Sequence, residues 1–163
     1  MNIQSGTTRV TIPPEHVVHS EVLKTMDPHE DVDVPEFVGK YLDDVASILK
    51  YLTTHGETID SLSPQDPHLV YMCVQCVPSL QNPYPHDQFK QSLEILKVVQ
   101  FLDIPLCVRL MFCFIFHTVG TCSTIDDIVN LLFYPGEFEQ LSLDEQKKSY
   151  ELLLDNIGNF KRF

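Results

Sequence analysis

The sequence has no tryptophan, few glycines and a shortage of basic residues. It holds 11 Lys and Arg against 23 Asp and Glu, so its formal net charge is −12. A surface with this charge repels phosphate backbones and anionic lipid headgroups, which makes nucleic acids and membrane surfaces poor partners. We expect a partner with a basic surface instead.

The sequence also lacks an apolar run long enough to span a membrane, which needs about 20 residues. The most apolar segment, from Leu106 to Val119, carries Arg109 and is bounded by Pro105 and Gly120. It predicts a helix from Pro105 to Val119 that is surrounded by protein. No leader or lipid-anchor pattern is evident. Five cysteines, an odd number, indicate reduced thiols in a cytoplasmic or nuclear protein.

Motifs that carry catalysis or phosphate binding are missing as well, including the Gly-rich phosphate loop, HExxH and GxSxG. Cys73 and Cys76 have the spacing of a redox pair or half a zinc site. If residues 70–77 form a strand, however, the two thiols point to opposite faces. Cys113 and His117 are one helical turn apart, but apolar surroundings oppose a thiolate there. We therefore expect no catalytic residues, no metal and no cofactor.

The N-terminal part predicts a small sheet and a helix. Asn2 to Gln4 and Arg9 to Ile12 flank a glycine-containing turn, which is typical of a hairpin. Val32 to Val34 alternates in polarity before Pro35 and predicts a third strand. Between the hairpin and this strand, apolar residues at helical spacing predict a helix from Glu15 to Met26.

Helical spacing returns in the rest of the chain. Helices are predicted from Phe37 to His55, with Gly56 as C-cap, and from Asp87 to Leu102. Residues 57–86 contain five prolines and predict an irregular insertion. Within it, His68 to Val77 is apolar and β-prone, so it is compatible with an added strand or with an apolar patch that covers a neighbour.

Caps are predicted for the helices of the second half. Asp103 suits the N-cap of the helix that begins at Pro105. Ser123 or Thr124 is predicted to cap a short helix, and a capping box of Ser142 with Glu145 is predicted to open the last one.

The second half also carries a family resemblance. Gln100-Phe101-Leu102-Asp103-Ile104 precedes the apolar helix, and Leu141-Ser142-Leu143-Asp144-Glu145 opens the last helix. This order resembles Skp-type proteins, the adaptors that hold F-box proteins in SCF (Skp, cullin, F-box) ubiquitin ligases. The likeness covers roughly the last 70 residues well and the first half more loosely.

The resemblance implies an α+β fold with two parts. Residues 1–119 would form a BTB/POZ-like domain, a three-stranded sheet with a helical cluster, interrupted by the insertion at 57–86. Residues 120–163 would form the C-terminal Skp-type helices. The implied function is a non-enzymatic adaptor in ubiquitin-dependent protein degradation.

Specific residues follow from the resemblance. The cullin contact maps to Gln100 and Phe101, where the family usually has Asn-Tyr, so a hydroxyl worth about 1 kcal/mol in a buried hydrogen bond is lost. The last two helices carry more apolar residues than two short helices can bury against one side of the apolar helix. F-box binding maps to these residues, namely Ile128, Leu131, Leu132, Phe133, Phe138, Leu141, Tyr150 and Leu153. A core that covers itself is the simpler interpretation of these residues.

A second hypothesis is a divergent Skp/BTB scaffold that associates with itself and no longer binds cullin. The change to Gln100-Phe101 motivates it. The absence of the tryptophan-containing tail that is usual in the family also distinguishes this chain, whose C-terminus offers Phe160 and Phe163 instead.

Overall fold

The chain begins with a hairpin of β1 (Asn2–Ser5) and β2 (Thr8–Thr11). β3 (Asp31–Asp33) pairs with β1 in parallel, so the strand order is β2-β1-β3. Ile3 and Val32 oppose each other in this pairing and both are buried. The computed structural model describes residues 1–134, 136–149 and 151, and within them the predicted α+β class is confirmed.

Helices make up most of the remaining chain. They are α1 (Pro14–Val17), α2 (Glu36–Gly39), α3 (Leu42–Ser61), α4 (His68–Cys76), α5 (Pro85–Phe101), α6 (Pro105–Gly120) and α7 (Ile125–Leu132), with single 3-10 turns at Leu23–Thr25, Pro78–Gln81 and Phe138–Gln140. Residues 143–149 and 151 are also helical. The chain divides into two compact units, Met1–Thr118 and Val119–Phe163. Among the described residues, no helix has the length and apolarity needed to cross a membrane.

The core of the first unit is organised around α3 rather than α6. α3 contacts α1, α4 and β2, and its buried side chains run from Leu42 to Ile59. α6 has the predicted bounds within one residue, but Phe112 and Phe116 on its surface are exposed. The expectation that protein surrounds this helix was therefore wrong, because composition alone does not show which sides of a helix have neighbours.

The predicted helix from Glu15 to Met26 is interrupted after α1. Ser20 is fully buried between α1 and the Leu23–Thr25 turn. Its hydroxyl donates to the Leu102 carbonyl oxygen at 2.5 Å and accepts from the Leu23 N–H at 3.1 Å. A tertiary hydrogen bond thus replaces the helical continuation that local spacing favoured.

Gly56 does not end a helix, since α3 continues to Ser61. A Cβ added at Gly56 would lie 3.4 Å from Leu106 Cδ1, which is ordinary van der Waals contact, so this position packs against α6 without requiring a glycine. The end of α3 is bound by Arg109, whose guanidinium donates to the Asp60 carbonyl at 3.3 Å and to the Leu62 carbonyl. Arg109, the only formal charge on α6, is thus a cation placed at the C-terminus of α3.

The segment predicted as an irregular insertion is mostly helical. α4 occupies the region where a strand was considered, and its buried residues are Leu69, Met72, Cys73 and Cys76. The segment is not a strand, so the opposite faces expected for a strand do not apply. On a helix, an offset of three brings Cys73 and Cys76 to one face. Buried Asp44 fixes the following turn by accepting from Ser79 N at 2.9 Å and Ser79 Oγ at 2.6 Å.

Asp103 closes α5 instead of capping α6. Its φ is 47°, in the left-handed region, which Asp adopts more readily than most residues. The Asp103 N–H donates to the Gln100 carbonyl at 3.1 Å, and the Ile104 N–H donates to the Val99 carbonyl at 2.9 Å. This pair of bonds is a Schellman motif at the C-terminus of α5.

Candidate protein-interaction surfaces

In the second unit, the N-terminus of α7 is capped by residues next to it in the chain. Thr124 Oγ1 accepts from the Asp127 N–H at 3.1 Å, and the Asp127 carboxylate accepts from the N–H groups of Thr124 and Ser123 at 2.8 Å. These hydrogen bonds, with that from the Thr124 backbone the largest cause, lower the pKa of Asp127. The prediction that Ser123 or Thr124 caps this helix is confirmed, with Thr124 at the N-cap.

A second capping box opens the last described helix, as predicted. The Glu145 carboxylate accepts from Ser142 Oγ at 2.6 Å and from the Ser142 N–H at 2.9 Å. In return, the Glu145 N–H donates to Ser142 Oγ at 3.3 Å. The hydroxyl and backbone bonds from Ser142 lower the pKa of Glu145. The two α-helices that the structure describes in the second unit therefore begin at defined positions.

Apolar side chains of the second unit divide into buried and exposed groups. Leu132, the last residue of α7, is 38% exposed, and Leu143 in the last helix is 83% exposed. Tyr134, which the sequence prediction missed because it follows the helix in an irregular segment, is exposed as well. Of the predicted F-box residues, Ile128, Leu131 and Phe138 are buried, Phe133 and Leu141 are partly buried, and Tyr150 and Leu153 lie outside the described residues.

The described part of this unit has a strongly acidic surface. Its described residues include seven exposed carboxylates and two exposed lysines, Lys147 and Lys148. Three of the carboxylates, Asp127, Glu137 and Glu145, accept hydrogen bonds from nearby backbone groups. The other four are Asp126, Glu139, Asp144 and Glu151. This excess of negative charge favours an approaching basic surface.

A second exposed surface lies at the end of α5. Gln100 and Phe101, the predicted cullin-binding residues, are both exposed, and Phe101 retains 45% of its accessible surface. The ring of Phe37 in α2 lies edge-on to the Phe101 ring, with 5.4 Å between centroids and 81° between planes. The sequence prediction missed Phe37, because a residue at the start of a helix gives no signal of which distant side chain it contacts.

Three thiols of the first unit, those of Cys73, Cys76 and Cys107, are packed in the core. Cys73 Sγ lies 3.5 Å from Met111 Sδ, and Cys76 Sγ lies 3.4 Å from the Cys73 carbonyl oxygen. Burial raises the pKa of Cys73 well above its usual value. A hydrogen bond with Cys76, together with burial, raises that of Cys107. Protonated thiols are poor nucleophiles and poor metal ligands. No group of three metal-ligating side chains is found among the described residues.

Cys113 and His117 do not form a buried pair. Cys113 is partly buried and its Sγ donates to the Pro64 carbonyl oxygen at 3.1 Å, while His117 is exposed. Burial raises the pKa of the Cys113 thiol. The arrangement holds the loop after α3 against α6.

Comparison with known proteins adds no assignment, since no family model, curated protein or solved structure matches this chain.

Proposed function

We propose that this chain is a non-catalytic Skp-type adaptor that links F-box substrate receptors to a cullin in a ubiquitin ligase. The observation that carries the proposal is the set of exposed apolar residues in the second unit, Leu132, Tyr134 and Leu143. They lie on or beside helices that have their own capping boxes. Defined helices with exposed apolar side chains are suited to pack against a partner helix.

The first unit supports the same proposal through its topology. A hairpin whose first strand pairs in parallel with a third strand, followed by a helical cluster, agrees with the BTB/POZ-like body that the resemblance implies. The segment from Gln100 to Ile104, which carries the resemblance, ends α5 in a fixed conformation with Phe101 at the surface. In the proposed assembly this end of the first unit contacts the cullin.

The mechanism is association by burial of apolar surface. Burying a leucine or aromatic side chain contributes about 1.5–3 kcal/mol, so a few such residues on the second unit are enough to anchor a helix. An obligate-style interface of this kind buries about 2,000 Å² or more. The acidic surface around the anchors would speed the approach of a basic F-box segment without supplying most of the affinity.

Co-expression with an F-box segment tests the proposal. The wild-type chain should purify with the segment as a 1:1 complex. Leu132→Asp should abolish the complex, because it places a charge where an apolar contact forms. Asn130→Asp is the matched control, since it adds the same charge to an exposed position of the same helix. Equal binding by both variants would contradict the proposed use of this surface.

A further inference from the structure

The loop between α3 and α4, residues 62–67, carries the one place in the sequence where a serine or threonine is followed by proline, Ser63-Pro64. Both residues are exposed. Leu62 before them is extended, with φ −77° and ψ 149°, and proline favours an extended backbone for Ser63 as well. An exposed serine followed by proline is the acceptor that proline-directed protein kinases recognise.

Turn formation explains only part of this dipeptide. The Asp66 N–H donates to the Ser63 carbonyl at 2.9 Å, which closes a β-turn with proline in its favoured second position. The one described hydrogen bond of the Ser63 hydroxyl comes from the Gln65 N–H at 3.4 Å, longer than an ordinary N–H···O bond. By contrast, the Ser61 hydroxyl donates to the Thr58 carbonyl at 2.7 Å. Of these two serines, Ser63 is the one whose hydroxyl the fold leaves available for reaction.

A cation lies next to this serine. The Arg109 guanidinium donates to the carbonyl of Leu62, the residue before Ser63, and to the Asp60 carbonyl at 3.3 Å. Its ion pair with the Asp60 carboxylate is long, at 3.9 Å, and the Asp60 side chain is 79% exposed, so little of the positive charge is neutralised. Arg109 Nε is buried without a hydrogen-bond partner among the described residues. The guanidinium therefore rests against neutral carbonyls and lacks a close anion.

Two hydrogen bonds from α6 hold the loop on either side of the serine. Arg109 binds the carbonyl before Ser63, and Cys113 Sγ donates to the Pro64 carbonyl after it at 3.1 Å. A phosphate on Ser63 would thus be attached one residue from a bound guanidinium. Arginine forms its strongest hydrogen bonds with carboxylate and phosphate oxygens. Contacts of this kind are how phosphorylation orders a loop.

We infer that Ser63 is a phosphorylation site for a proline-directed protein kinase and that its phosphate binds Arg109. The Ser63 oxygen attacks the γ-phosphorus of ATP, the bond from that phosphorus to the bridging oxygen breaks to release ADP, and the hydroxyl proton passes to the base of the kinase. The phosphoserine carries about −1.5 to −2 charges at pH 7. It joins the loop to α6 more firmly than the carbonyl contacts alone. This inference goes beyond the adaptor function and does not depend on it.

Two carboxylates near the serine oppose the phosphate. Asp60 extends into solvent, where salt screens its repulsion. Asp66 already accepts from the His68 N–H at 2.9 Å, which offsets part of its charge. The Arg109 side chain is only 24% exposed, so its attraction for the phosphate is screened less. Attraction therefore outweighs repulsion, and phosphorylation should stabilise the first unit.

Incubation of the folded full chain with ATP and a purified proline-directed kinase tests the site. Intact mass should show one added phosphate, and peptide mapping should place it on Ser63. Ser63→Ala and Pro64→Ala should each abolish the modification. Ser61→Ala is the matched control and should leave it unchanged, because Ser61 is also exposed but is not followed by proline. A chain that takes no phosphate, or that takes it as well in Pro64→Ala, would overturn the assignment.

Phosphoserine incorporated at position 63 during translation tests the contact with Arg109. The urea midpoint should be higher than that of the unmodified chain, and Arg109→Met should remove the difference, whereas Arg9→Met should preserve it. The Arg109 Nε–H resonance should also shift in the phosphorylated wild-type chain, a measurement that needs no variant. An unchanged resonance, or a midpoint difference that survives Arg109→Met, would show that the phosphate does not bind Arg109. Neither result bears on F-box or cullin binding, so the proposed function is tested separately.

Discussion

Arg109 shows how one residue takes a role that its own helix does not reveal. From sequence it is the only formal charge in the most apolar segment of the chain. In the structure its guanidinium bonds to the Asp60 and Leu62 carbonyls, which are left without helical partners at the end of α3. The residue therefore joins two core helices through backbone atoms.

Arg109→Met should lower the free energy of unfolding by about 1–3 kcal/mol, because it removes charge-assisted hydrogen bonds and leaves carbonyls unpaired. The methionine keeps most of the apolar stem, so lost packing contributes little. Urea denaturation measures the change. Arg9→Met is the control: Arg9 pairs with Asp31 at 2.8 Å, but both side chains are substantially exposed, and such pairs contribute about 0–1 kcal/mol. A smaller effect at Arg109 than at Arg9 would contradict this account.

At the scale of the element, the two capping boxes of the second unit make its helices sensitive to acid. The pKa values of Asp127 and Glu145 are lowered in the folded chain by bonds from Thr124, Ser123 and Ser142. A lowered folded pKa stabilises the helix above the ordinary carboxyl pKa, and this contribution disappears as the pH falls through the folded value.

Helicity of the second unit should therefore decrease below the ordinary carboxyl range, and Asp127→Asn with Glu145→Gln should remove most of that pH dependence. Asp126→Asn is a matched control, because Asp126 also lies in the first turn of α7 but accepts no described hydrogen bond. Carboxyl titration by NMR, together with circular dichroism, measures the effect. An unchanged pH profile in the double variant would show that the caps contribute nothing.

The sequence predicted elements whose signals are local and missed those that depend on distant contacts. The hairpin, α5, α6 and both capping boxes follow from turn residues, periodicity and Ser/Thr–Asp/Glu spacing. A strand was considered for α4 because the segment is apolar and β-prone, although its buried residues recur every three to four positions. Periodicity was the better guide there than composition.

The candidate surfaces were predicted to a similar extent. Gln100, Phe101 and Leu132 are exposed, as a binding surface requires, whereas Ile128, Leu131 and Phe138 are largely buried in this chain. Pattern alone cannot divide an amphipathic helix into residues that face its own core and residues that remain for a partner. Phe37 and Tyr134 were missed, because their positions depend on tertiary contact and on an irregular segment.

At the scale of the whole molecule, two compact units carry two different kinds of exposed surface. The first unit presents the exposed aromatic pair of Phe37 and Phe101, and the second presents exposed apolar side chains among exposed carboxylates. An adaptor needs two such independent surfaces, since it must hold both partners at once. The competing hypothesis, a self-associating scaffold, would instead use these residues to bind further copies of the same chain.

Calorimetric titration of the full chain with an F-box segment at several temperatures tests the central claim most directly. The account predicts saturable 1:1 binding with a negative heat-capacity change, because exposed apolar residues of the second unit become buried. Light scattering on the same samples should show one chain per complex. A folded chain that gives no saturable heat, or a homo-oligomer that excludes the segment, would contradict the account.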